Sequence, residues 1–145
     1  MENELKKNPI VITILILLCI TMILVVYLGV YFSKMTKTPF NIAISQSSII
    51  IEGWGDAKIN LSDIEGVDLV DGNLKIVSND GGGTIGNKIF GDENIENYGN
   101  VKCFIENSTQ KSIFIKTNNH NYIINFNSVE ETFEKFNKIK SILRK

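Results

Sequence analysis

Three features of the sequence have residue types that could carry chemistry: a glycine run, a lone histidine and a cysteine. Gly81, Gly83 and Gly86 have the spacing of a dinucleotide-binding fingerprint, in which glycines let a helix N-terminus approach a pyrophosphate. No apolar helical period follows them, because Gly91, Gly99 and several Asn residues interrupt it. The run also lacks the Gly-Lys-Ser/Thr of a phosphate loop. We therefore interpret it as a flexible inter-strand loop without a cofactor.

The histidine and the cysteine do not form a reactive group by their spacing. His120 is the only histidine and lies in an Asn-rich turn, where a solvated role is expected. Cys103 lies between Val101 and Ile105 on one face of an apolar strand, which favours packing over a thiolate nucleophile. Carboxylates are plentiful but have no ligand spacing: Asp56, Asp63, Asp68, Asp71, Asp92, Glu93 and Glu96. The sequence predicts no catalytic residue, no metal and no cofactor.

The N-terminal part of the 145-residue chain is dominated by one apolar stretch. Residues 10–32 contain no charge and, as a helix, would cross a hydrocarbon layer of about 30 Å. Asn8 and Pro9 suit its N-cap and first turn, and Tyr27, Tyr31 and Phe32 suit an interfacial belt. A cleaved signal peptide would have a shorter apolar core of about 7–15 residues followed by small residues. We therefore predict an uncleaved single-span anchor in the cell membrane.

The flanking charges do not give the anchor an orientation. Lys6 and Lys7 precede the stretch, and Lys34 and Lys37 follow it, so the positive-inside count is tied. The unpaired thiol of Cys103 slightly favours a cytoplasmic domain. The side of the membrane stays undecided from the sequence.

The remainder of the chain is mildly acidic. Of the 15 basic and 16 acidic residues, four Lys and two Glu precede Pro39, which leaves 11 basic against 14 acidic residues. Nucleic acids and anionic lipids require clustered Lys and Arg, so this charge disfavours both as partners.

Alternating apolar residues after Phe40 predict about eight short strands. They are expected at Ile42–Ile44, Ser48–Ile51, Ala57–Ile59, Val67–Val70, Leu74–Val77, Val101–Ile105, Ile113–Ile115 and Tyr122–Phe126. Turn residues at 71–73 and 118–121 predict tight hairpins, because Asn and Gly tolerate positive φ. Neighbouring strands should therefore pair antiparallel.

A helix over about 128–144 should end the domain. Ser128 and Glu131 have the spacing of a capping box. An apolar stripe follows at helical spacing and should lie on the strands: Val129, Phe133, Phe136, Ile139 and Leu143. Strands followed by one amphipathic helix predict a curled sheet or barrel whose open end the helix covers.

Several motifs resemble the C-terminal half of bacterial pleckstrin-homology-like (PH-like) domains. They are Gly-Asn-Lys-Ile-Phe-Gly at 86–91, Tyr-Gly-Asn-Val-Lys-Cys-Phe-Ile at 98–105, Ile-Phe-Ile-Lys-Thr at 113–117, Tyr-Ile-Ile-Asn at 122–125 and Glu-Thr at 131–132. The resemblance implies a mainly-β domain of seven or eight antiparallel strands with a C-terminal helix. The predicted organisation is a flank at 1–9, a transmembrane helix at 10–32, a linker at 33–39 and the PH-like domain at 40–145.

Three aromatic residues are the candidates for contact with a partner. Trp54 lies between two glycines at a turn, and an exposed tryptophan there could anchor a protein or touch lipid, although folding back onto the domain as a lid is the favoured interpretation. Phe90 and Tyr98 are weighed in the same way, with structural use implied by the resemblance. Phosphoinositide binding is not expected, because the first inter-strand loop, Ser45-Gln46-Ser47-Ser48, has no basic residue.

These observations favour a membrane protein that presents a PH-like domain to an unknown protein or peptide partner, without catalysis. The alternative is immunity to a bacteriocin or other peptide toxin, or an envelope-stress role, which small anchored proteins of similar kind have. An enzyme is the third and least favoured class, since no nucleophile-base pair is visible.

Overall fold

The computed structural model describes residues 8–53 and 55–144. The chain divides into two compact units, of which the first ends at Thr38 and the second begins at Pro39. Each unit has its own secondary structure, an apolar helix in the first and a β-domain with a C-terminal helix in the second. This order confirms the predicted fold class.

The first unit contains helix α1, Pro9–Lys37. Its start is as expected, since the Asn8 side chain accepts a hydrogen bond from the Ile10 amide at 3.0 Å. Its segment Pro9–Lys34 is long and apolar enough to cross a membrane, and none of it is buried. The helix continues past the predicted boundary at residue 32, because nothing breaks the helix before Pro39.

Ten strands lie within the described residues of the second unit. They are β1 (Asn41–Ile44), β2 (Ser48–Glu52), β3 (Ala57–Asn60), β4 (Ile64–Val70), β5 (Ile76–Asn79), β6 (Gly83–Ile85), β7 (Lys88–Ile95), β8 (Gly99–Ile105), β9 (Ser112–Thr117) and β10 (Asn121–Ile124). Strands β1, β2 and β3 form a three-stranded antiparallel sheet. The others form a seven-stranded sheet in the order β4-β9-β10-β8-β7-β5, with β6 also paired to β7.

The prediction that all neighbouring strands pair antiparallel is wrong at one place. Strand β10 lies between β9 and β8, and it is parallel to β8. The expected turn at 118–121 does join β9 to β10 as an antiparallel hairpin. The β9–β10 hairpin places β10 directly beside β8. Strand β9 is therefore part of the connection that lets β8 and β10 run parallel.

The predicted hairpin at Asp71-Gly72-Asn73 is also wrong. The turn exists, with φ of 60° at Asn73, but it joins β4 to β5, which lie at opposite ends of the sheet. The turn packs instead on the loop after β8, where the Asn73 amide donates to the Ser108 carbonyl at 2.7 Å. Turn residues favour a change of direction and do not specify the partner strand.

The glycine run is only in part the inter-strand loop that the sequence predicted, since residues 80–82 lie between strands. Residues 83–85 form β6, which is antiparallel to the start of β7 with Ile85 opposite Lys88. Gly86 and Asn87 are therefore a two-residue hairpin turn, and Gly86 has the positive φ of 60° that such turns favour.

The C-terminal helix α2 is Val129–Leu143, close to the predicted 128–144. The Ser128 hydroxyl accepts from the Glu131 amide at 3.1 Å, as the capping pattern predicted. The helix packs against β4 and β9, and Ile139 is completely buried. Helix and sheet thus bury the predicted apolar stripe in part, while Phe133 and Leu143 remain exposed.

The seven-stranded sheet has an apolar core on each face. The first core joins it to α2 and to the three-stranded sheet, through residues such as Ile49, Phe104, Ile115 and Ile139. The second core lies on the opposite face around Val101, Cys103, Ile105 and Ile123. Because successive side chains of β8 point to opposite faces of the sheet, β8 contributes to both cores and is buried along most of its length.

Candidate functional site

Cys103 is fully buried in the second core, as the strand pattern predicted. Burial, as the main cause, and the neighbouring carboxyl groups of Glu93 and Asp92, as smaller causes, together raise the pKa of its thiol to about 12. At neutral pH the sulfur is therefore a protonated packing group and has no nucleophilic character.

His120 lies in the predicted turn with 39% of its side chain accessible to solvent, and it also contacts two neighbours. Its Nε2 lies 3.2 Å from Asp92 Oδ1, and its ring meets Tyr122 edge-on with centroids 5.5 Å apart. Asp92 belongs to β7, so the contact bridges the β9–β10 turn and another strand. Within residues 8–53 and 55–144, no group of three His, Cys, Asp or Glu side chains is placed to hold a metal ion.

The structure does not bring the three candidate aromatic residues together. Trp54 lies outside the described residues. Phe90 packs on the first core, and Tyr98 packs on the second, with its ring 5.1 Å from that of Phe114. Phe90 and Tyr98 thus serve opposite faces of one sheet, and their contact with a partner stays a prediction.

The loop between β1 and β2 is held by its own serines. The Ser45 hydroxyl accepts from the Ser48 amide at 2.9 Å and donates to the Ser48 carbonyl at 2.8 Å. A cleft of about 580 Å³ separates this loop from α2 and is lined by Ile44, Gln46, Lys138 and Ile142, among others. One lysine therefore faces the loop from the helix, a neighbour that the loop sequence could not reveal.

The strongest candidate for recognition is the outer edge of β4, beside α2. Strand β4 pairs with β9 along one edge, and no described strand pairs with its other edge. The register shifts between Ile64 and Gly66, and no atom lies within 4 Å of the position that a side chain at Gly66 would begin to fill. Strand β4 is therefore an edge strand, whose side away from β9 has no strand partner among the described residues.

Charged side chains border this edge, which we call the β4 edge and define as residues 64–70. Glu65 lies 2.9 Å from Lys116 of β9, and Asp68 lies 3.9 Å from Lys140 of α2. These pairs are solvent-exposed, with 48% and 73% of the two carboxylate side chains accessible, so they hold the edge weakly. An edge strand of this kind can add an extended strand by backbone hydrogen bonding.

Sequence reasoning did not identify the β4 edge. The segment reads as an ordinary strand, and only the pairing of β9 with β10 on its other side leaves β4 at the end of the sheet. Gly66 is the one local signal, since a glycine inside a strand often marks a close approach of backbone.

A three-stranded sheet, a seven-stranded sheet and a C-terminal helix agree with the mainly-β domain that the PH-like resemblance implied. The family model of the bacterial PH domain matches residues 41–140, and the chain therefore belongs to the bacterial PH domain family. No curated protein and no solved structure gives a significant match to the chain. The family is generally non-catalytic.

Proposed function

We propose that this protein is a single-pass membrane protein whose PH domain binds an extended peptide segment of another membrane-associated protein, without catalysis. The observation that carries the proposal is the β4 edge, an unpaired strand edge beside a helix in a domain preceded by a membrane-length apolar helix. Strand addition gives affinity through backbone hydrogen bonds, and neighbouring side chains give selectivity.

The apolar helix supports the membrane part of the proposal. Its side chains from Ile10 to Phe32 are largely exposed, which is tolerable in lipid and unfavourable in water. Confinement to a bilayer raises the effective concentration of any partner in the same membrane, so a weak edge contact suffices.

The described groups that could react support a non-catalytic role. Cys103 is buried and protonated, and His120 contacts the carboxylate of Asp92. Membership of a generally non-catalytic family points the same way.

Site-specific photo-crosslinking in the native membrane tests the proposal. A photoreactive amino acid at Asp68 should give a discrete adduct with one membrane-associated protein. The same group at Ser78, exposed on the edge strand at the other end of the sheet, is the matched control and should not. The variant Gly66→Lys, whose Cβ would meet no atom within 4 Å in the folded domain, should weaken the Asp68 adduct because it adds a long charged side chain to β4.

The proposal fails if Asp68 and Ser78 give the same adducts, or if Gly66→Lys leaves the Asp68 adduct intact while the domain is folded. Reporter fusions after residue 144 would establish the side of the membrane. We infer the cytoplasmic side, because an unpaired buried thiol at Cys103 is compatible with a reducing compartment.

A further inference from the structure

Glu93 is the most unusual ionisable residue of the described chain. It lies on β7, only 1% of its surface is exposed, and neither carboxylate oxygen has a hydrogen-bond partner among the described residues. An ionised carboxylate in such a place loses its hydration without compensation, whereas the neutral acid is tolerated at smaller cost. The folded domain therefore favours the protonated form of Glu93.

The backbone of residues 80–82, which we call the glycine segment, covers this carboxyl. The position of a Cβ on Gly82 would be 2.6 Å from Glu93 Oε1, so the backbone at Gly82 lies directly on the acid. The Asn79 side chain shapes the segment, since it accepts from the Gly81 amide at 3.0 Å and donates to the Gly82 carbonyl at 2.8 Å. Glycine is required here, and nothing bulkier shields Glu93 at this point.

The covering segment is lightly attached to the rest of the domain. We call residues 76–85 the flap; it comprises β5, the glycine segment and β6, and both strands pair only with β7. Of its side chains, Ile76 packs on the second core, while Val77 is 62% exposed. Segments with few buried apolar contacts open locally at low free energy.

The charged groups around Glu93 do not favour its ionisation. Burial raises the pKa of its carboxyl above the ordinary 4.5, and Asp80 of the flap and Asp92 of β7 raise it further. On β8 the neighbour is Cys103, whose thiol is protonated, and His120 reaches Asp92 from the β9–β10 turn. Deprotonation would thus add a negative charge to a group that already contains two carboxylates.

We propose that the flap is a proton-controlled cover: it lies on β7 while the Glu93 carboxyl is neutral, and it lifts when that carboxyl ionises and enters water. Lifting exposes the outer edge of β7 and leaves the first core intact, because the flap contributes no residue to that core. The transition is therefore local, and it does not depend on the binding function proposed for the β4 edge.

The direction with pH follows from the raised pKa. Below the ordinary value the acid is neutral whether the flap is closed or open, and the closed form is at its most stable. Above that value the open form loses its proton first, so the population of the open form rises by up to tenfold per pH unit until the closed form ionises as well. The closed flap is therefore most stable in acid, and the open population grows as the pH rises.

Hydrogen exchange on the full chain in detergent micelles tests this, with rates corrected for the intrinsic pH dependence of amide exchange. Between about pH 5 and about pH 8, protection of the flap amides should fall by about tenfold or more, while amides of β9 and β10 keep theirs. Glu93→Gln should hold the flap protected at both pH values. Glu96→Gln, an exposed carboxylate just after β7, is the matched control and should behave like the wild type.

Unchanged flap protection in the wild type, or a pH response that persists in Glu93→Gln, would overturn the proposal. If Glu93→Gln does not fold, the carbonyl stretch of the protonated acid in the isotope-labelled wild type replaces it. Loss of that band at or below the ordinary carboxyl pKa would overturn the proposal equally, and its survival to higher pH is expected.

Discussion

The Glu106 side chain joins three separate parts of the β-domain. Its carboxylate is almost fully buried, lies 2.6 Å from Lys88 Nζ of β7, and accepts from the Phe40 amide at 2.7 Å. It therefore ties Phe40, just before β1, to both β7 and the end of β8. A buried ion pair with a further hydrogen bond is costly to break from one side, since the remaining charge keeps its desolvation penalty.

We expect Glu106→Gln to lower the free energy of unfolding by about 3 kcal/mol. Glu65→Gln removes an exposed ion pair with Lys116 and should cost about 1 kcal/mol or less. Urea denaturation followed by circular dichroism measures both. Equal losses in the two variants would show that burial does not increase the contribution of the Glu106–Lys88 ion pair to stability.

At the scale of single residues, the sequence predicted the burial of Cys103 but did not indicate the burial of Glu93. Cys103 lies in an apolar run whose alternation alone places it in a core. Glu93 lies in the polar run Gly-Asp-Glu-Asn, where nothing local distinguishes a buried carboxylate from its exposed neighbours. Glu93 is buried because strand pairing places the backbone of Gly82, which lies earlier in the chain, over its carboxyl.

The loop between β8 and β9 begins the connection from β8 to its parallel neighbour β10, and the Asn125 side chain holds this loop in place. The Asn125 side chain, fully buried, accepts from the amides of Glu106 and Asn107 at 2.8 and 3.2 Å. It also donates to the Asn107 carbonyl at 2.7 Å and the Ser112 hydroxyl at 3.1 Å. One amide group thus supplies the hydrogen bonds that the chain lacks where it leaves β8.

Replacement of Asn125 by Ala should therefore destabilise the domain by about 3 kcal/mol, since several buried backbone groups lose their only described side-chain partner. Asn119→Ala, in the exposed β9–β10 turn, is the comparison and should change stability by about 0.5 kcal/mol or less. Thermal unfolding of both variants gives the answer. A loss at Asn119 as large as that at Asn125 would contradict this account of the crossover.

Short sequence motifs predicted where the helix and the turns lie better than they predicted which strands pair with each other. The capping residue Ser128 and the turn after Thr117 act on their immediate neighbours, and both predictions are confirmed. The turn at 71–73 is also present, yet its flanking strands lie at opposite ends of the sheet. Strand order depends on which apolar faces are buried together, and a short window of sequence does not contain that information.

The whole molecule combines two units that require different solvents. The second unit holds both apolar cores, and its described core residues all lie between Phe40 and Ile139. We therefore expect residues 39–145 alone to fold cooperatively in aqueous buffer, and the full chain to need detergent or lipid. Sedimentation and circular dichroism of the two chains test this, and a full chain that stays monomeric without detergent would contradict the proposed anchor.

The position of β10 has a consequence for biosynthesis. It is the last strand to be made, yet it occupies the middle of the seven-stranded sheet, between β9 and β8. Until residues 121–124 have left the ribosome, two half-sheets must wait with open inner edges, which are prone to associate with other nascent chains. The need for chaperones during translation should therefore end abruptly at the point where this strand emerges.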